Sequence, residues 1–153
     1  MQEENIIEVN NQVMNLKETI DKLNSIAISQ PNVNDYVKSG NIYDLSENRN
    51  ANFSVFCVTQ GTHSYDFKNG YNIFNFVLYY VDRLTSDSSN KIEIQSTAIE
   101  TLKNIIRTYC KETDVDITTA DFEVFTESFS QLCAGAYTTI SIIVEDTNCL
   151  DEF

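Results

Sequence analysis

Residues 71–109, YNIFNFVLYYVDRLTSDSSNKIEIQSTAIETLKNIIRTY, decide the fold. The run 71–82 is aromatic and β-branched, which suits a pleated strand better than a helix. One face would carry Tyr71, Ile73, Asn75, Val77, Tyr79 and Val81. The other would carry Asn72, Phe74, Phe76, Leu78, Tyr80 and Asp82. Both faces are largely apolar, so the pattern predicts a central strand covered on both sides. Asp82-Arg83 then leads into a polar loop, where an exposed ion pair would be worth only about 0–1 kcal/mol. Asn90 stands as N-cap with Glu93 three residues on, an imperfect capping box. A helix to about Lys111 follows, with Ile92, Ile99, Leu102, Ile105, Ile106 and Tyr109 as its buried stripe. Lys103, Arg107 and Lys111 favour its C-terminal half, as the helix dipole prefers.

Working outward, 53–60 (FSVFCVTQ) reads as a second strand, punctuated by Gly61-Thr62-His63-Ser64. Residues 64–68 extend a hairpin, with Lys68-Asn69-Gly70 as its turn. Downstream, 122–129 alternates as a strand, Ala134-Gly135-Ala136 breaks it, and 137–145 (YTTISIIVE) forms the last strand. The prediction is an α+β domain. A mainly antiparallel four-stranded sheet carries an N-terminal helix and a crossover helix. Residues 1–30 supply the N-terminal helix, 31–52 an extended loop or arm, 53–146 the core, and 147–153 an acidic tail.

Within 3–29, Ile6, Val9, Val13, Leu16, Ile20, Leu23 and Ala27 step by three and four, an a/d seam. Such a narrow seam suits the chain's own sheet or a neighbouring subunit. Ile6, Val9, Val13, Leu16, Ile20 and Leu23 are therefore candidate interface residues. Gln30-Pro31 ends the helix. The Asn- and Ser-rich stretch 31–52 is longer than most loops of compact domains, which suits a short helix or an arm that reaches another subunit.

The 153 residues carry 23 acids against ten bases, a net charge of −13. Residues 111–153 hold ten of the acids and one base, Lys111. Nothing in such a chain neutralises phosphates, so it should not grip nucleic acid. Either the charge confers solubility, or it faces a like-charged polymer and repels it. Glu3, Glu4 and Glu8 occupy the place of a signal peptide's basic region, and no apolar run has membrane-spanning length.

Chemical signatures are missing. His63 is the only histidine and reads as a solvated turn residue. No nucleophile elbow, zinc-protease motif or phosphate-binding loop occurs, so no enzyme activity, cofactor or metal is expected. Cys57, Cys110, Cys133 and Cys149 form no CxxC pair. Cys57 and Cys110 read as small core residues, while Cys133 and Cys149 flank the last strand and could meet.

The block 81–108 resembles a recurring small-protein family of tailed phages that infect Bacteroidetes, the crAss-like group included. Asp82-Arg83-Leu84, Asn90, Glu93-Ile94-Gln95-Ser96, Ile99, Leu102 and Ile105-Ile106-Arg107 carry the likeness. Phe122-Glu123-Val124-Phe125 through Cys133-Ala134-Gly135 fits the same pattern, and the element order is similar to phage tail-terminator and neck proteins. The resemblance implies a virion structural protein, assembled in the host cytoplasm into a ring in the neck or tail. Its partners would be further copies of itself, the portal or adjacent neck and tail ring proteins, and passing viral DNA held without specific binding, with no membrane. Glu123, Glu127, Glu145 and Asp146 are candidate channel-facing acids. The alternative class is a small acidic cytosolic adaptor or DNA-mimic inhibitor.

Overall fold

The computed structural model describes residues 14–47 and 51–146. Helix α1 spans Leu16–Ile28 and α2 spans Lys91–Thr113. The strands are β1 (Asp35–Tyr36), β2 (Val55–Gln60), β3 (Ser64–Asp66), β4 (Tyr71–Arg83), β5 (Phe122–Ser128) and β6 (Leu132–Glu145). They form one six-stranded mixed sheet of order β1-β2-β4-β6-β5, with β3 also on β4.

The α+β class and the crossover helix are present, but the sheet is six-stranded and mixed instead of the mainly antiparallel four-stranded sheet expected. Two extra strands account for the difference. Asp35-Tyr36, within the stretch read as an arm, pairs parallel to Val55-Phe56. Residues 64–66 form a strand of their own because Gly61-Thr62-His63 interrupts the edge that β2 and β3 share along β4. The rest of the stretch 31–47 also lies on the sheet. A 3-10 helix, Ile42–Ser46, is capped by Asn41 and buries Ile42 and Leu45.

β4 and β6 form the spine, paired from Tyr71–Glu145 to Arg83–Cys133 without an offset. β6 lies between β4 and β5, so β4-α2-β5 is a split β-α-β unit closed by the β5–β6 hairpin. The predicted break at Ala134-Gly135-Ala136 lies inside β6. Gly135 serves close approach here, because a Cβ on it would stand 1.9 Å from the Tyr80 carbonyl oxygen and 3.2 Å from the Phe125 ring. The real turn is at Phe129, whose N–H donates to the Gln131 carbonyl at 3.0 Å.

The sheet's two faces differ. Phe74, Phe76, Leu78 and Tyr80 of β4 and the small or β-branched residues of β6 are buried under the helices. There α2 contributes Ile94, Ala98, Leu102, Ile105 and Tyr109. Ile92, assigned to the stripe, is 70% exposed, because the 3.6-residue period runs through Ile94 and Ala98 instead. The opposite face is covered only at one end. Ile42, Leu45 and Phe53 pack there against Val55, Cys57, Val81 and Cys133.

Both helix starts differ from expectation. Asn15 is extended (φ −84°, ψ 179°), its side chain accepts from the Glu18 N–H at 2.8 Å, and Glu18 accepts from the Asn15 N–H at 3.0 Å. This reciprocal cap starts a helix at Leu16, so a continuous helix over 3–29 does not pass through Asn15. Asn90 makes no side-chain cap on α2. Its carboxamide closes the preceding loop, accepting from the Thr85 N–H at 2.9 Å and donating to the Arg83 carbonyl at 3.3 Å. Asp114, left-handed at φ 61°, ends α2. Among the described residues, no helix is long and apolar enough to cross a membrane.

Candidate functional site: an aromatic patch on the outer sheet face

Strand alternation places Tyr79 on β4, Phe125 on β5 and Tyr137 on β6 side by side on the face away from the helices. Their ring centroids lie 5.5 Å (Tyr79–Tyr137), 6.2 Å (Phe125–Tyr137) and 6.3 Å (Tyr79–Phe125) apart, within the range of favourable aromatic pairs. Phe125 lies across the bare backbone of Gly135, so the missing side chain makes room for the ring. Phe129 adds a further ring, on which Tyr43 of the 3-10 helix leans at 6.0 Å. Tyr43 is 60% exposed, and a depression of about 290 Å³ opens among these rings, Val77 and Glu127.

Carboxylates border the patch. Glu123 accepts the Tyr137 hydroxyl at 3.2 Å, and this bond raises the pKa of the phenol. Burial raises that of Tyr79, reinforced by Tyr43. Glu127 lines the depression beside Phe129. The patch therefore has an aromatic centre and an acidic rim, the anatomy of a protein-contact surface.

The four acids singled out from the sequence do not form one cluster. Glu123, Glu127 and Glu145 share the outer face, but Glu145 lies opposite Tyr71, about 27 Å along β6 from the Glu123–Tyr137 pair at the usual strand rise. Asp146 follows β6, its N–H on the Gly70 carbonyl at 2.9 Å. Glu145 instead shares a shallow surface with Asp114 and Asp116, after α2.

Of the six seam residues, Leu23 is fully buried within the subunit, and Leu16 and Ile20 pack half-buried against the same core. Ile6, Val9 and Val13 lie outside the described residues, as does Cys149. Cys57 and Cys133 are buried and free, and burial pushes each thiol up to about 11. Cys110 is half-buried.

His63 is more than a solvated turn residue. Its Nδ1 accepts from the Asn75 N–H at 3.2 Å and its Nε2 meets Gln60 Oε1 at 3.0 Å. It fills the gap between β2 and β3 with its ring 5.5 Å from those of Phe74 and Phe76. Among the described residues, no group of three or more His, Cys, Asp or Glu is placed to hold a metal ion.

The sequence signal for the patch was the two-sided apolar pattern of 71–82, but it did not say which part stays open. Tyr43 was missed because it lies in the stretch 31–52 read as a loop or arm, while Phe129 stood at the end of the strand expected over 122–129, which stops at Ser128. No protein-family model matches the chain, and no curated protein matches it.

Proposed function

We propose that this chain is a structural subunit of an oligomeric ring in a phage neck or tail, placed between portal and tail around the DNA channel and acting without catalysis. The supporting observation is the outer face of the sheet, where Tyr79, Phe125, Tyr137, Phe129 and Tyr43 form an aromatic surface that α1 and α2 leave uncovered and the 3-10 helix covers only in part. Aromatic residues are enriched where proteins meet. On this reading Glu123 and Glu127 belong to the rim of a subunit contact. Glu145 and Asp146, together with Asp114 and Asp116, face the channel and let DNA pass without adhering.

The test is mass photometry of the purified protein, alone and mixed with the proteins encoded beside it. A closed oligomer in either setting supports the reading. The sharing of one face by Glu123, Glu127 and Glu145 favours a second reading, an acidic adaptor or DNA mimic. A chain that stays monomeric with every neighbour, yet binds a host DNA-binding protein, would replace the ring reading with that one.

A further inference from the structure

A second surface has an apolar floor and a rim of opposite sign. Along α2, Lys103, Arg107 and Lys111 recur every four residues, a spacing that lines them up on one side of a helix. Lys103 pairs with Glu100 at 3.1 Å, and Arg107 donates to the Asn104 side chain at 2.8 Å. Beside Lys103 and Arg107 runs a groove of about 340 Å³, floored by Ile106, Cys110, Ile117 and Phe122. It opens on the helix-covered side of the sheet. The aromatic patch, with Glu123 and Glu127, opens on the other side.

We infer that the patch of one copy docks on the α2 groove of the next copy, with Tyr43 and Phe129 over the apolar floor and Glu127 against Arg107. This rests on the assembly reading above and names the two surfaces that carry it. The occupant is a second copy because one chain presents both halves of a matched pair: aromatic centre with acidic rim, apolar floor with basic rim. Complementary potentials of this kind set register and exclude wrong partners. The two surfaces lie on opposite sides of one sheet, so no chain can satisfy its own patch. The contact is heterologous, the type that generates rings when the rotation closes.

Glu127→Lys and Arg107→Glu, each checked for unchanged circular dichroism, test this by sedimentation velocity under whichever condition assembles the wild type, alone or with neighbouring proteins. Each single variant should associate at least about tenfold more weakly, as like charges meet across the contact. An equimolar mixture of the two should regain wild-type assembly, because each restores the opposite-sign pair for the other. Tyr43→Ser, at an exposed position, should weaken association without touching the charges. Wild-type assembly that all three variants leave unchanged would overturn the docking and leave the assembly reading standing. Variants that weaken assembly singly but fail to restore it when mixed would also overturn it. A wild type that assembles in neither condition would remove both.

Discussion

Gly135 stands against the Tyr80 carbonyl so closely that a methyl group there would lie 1.9 Å from the oxygen. The contact is with backbone of the central strand, which cannot swing aside as a flexible side chain would. It lies in the continuous β4–β6 pairing, one residue from the Val81 that Gly135 faces. Gly135→Ala should therefore cost about 2–4 kcal/mol, in the range of severe overpacking. Denaturant unfolding followed by far-UV circular dichroism would measure it, and a midpoint within error of wild type would refute the close approach.

Asn15 and Glu18 satisfy each other's backbone N–H at the start of α1. Asn15→Ala should cost about 1 kcal/mol, while Asn15→Ser should recover most of it. Lys17→Ala, which removes the pair with Asp21 at 2.7 Å on the exposed face of the same helix, should matter far less, because water screens such a pair. Thermal unfolding of the three variants would rank them.

Alkaline pH should destabilise the fold through buried acids rather than surface charge. Burial pushes Cys57 and Cys133 up to about 11 and Tyr109 up to about 12. Below about pH 8 both folded and unfolded chains keep these protons, and the groups add no pH dependence. Between about 8 and 12 the unfolded chain ionises first, its cysteines before its tyrosine, and binds fewer protons, so stability falls as pH rises, by at most about 1.4 kcal/mol per pH unit for each group. Tyr109→Phe should flatten the upper part of that slope in a urea titration repeated at several pH values.

The same burial sets thiol reactivity. In a Cys149→Ser background at neutral pH, Cys110 should react with iodoacetamide ahead of Cys57 and Cys133, which have no exposed surface. Peptide mapping by mass spectrometry would give the order. Prompt labelling of Cys57 would contradict the covered end of the outer face.

His63 should hold the Nε2–H tautomer when neutral, since Nδ1 accepts from Asn75 and Nε2 is left to donate to Gln60. Nitrogen chemical shifts of the ring would report it. His63→Leu keeps the contacts with Phe74 and Phe76 but leaves the Asn75 N–H without that acceptor, at a cost of about 1–2 kcal/mol.

What could be read in advance followed from periodicity. The two-sided apolar run of 71–82 and the Ile and Leu spacing of 92–109 are strong, and both elements formed, although Ile92 lies off the buried stripe. Asp35-Tyr36 were beyond such reading, since two residues have no period and the strand exists only because β2 offers an edge. Gly135 misled in the other direction. Glycine between alanines signals a break, yet this one lies mid-strand, where the close backbone and the Phe125 ring leave no room for a side chain. The aromatic patch was half legible. Tyr79 stood in the decisive strand, but Tyr43 reaches it through a 3-10 turn that only tertiary packing holds against the sheet.

The β4–β6 pairing also bears on the order of events during synthesis. Its two strands are separated in the chain by all of α2 and β5, so the sheet's spine closes only through contacts distant in sequence, the kind that slow folding. As the chain leaves the ribosome, β1 to β4 can gather on one another. The other edge of β4, with its apolar face, stays unpaired until β6 emerges. During that interval the nascent chain exposes a thirteen-residue template for aggregation, and the last strand to be made is the one that removes it.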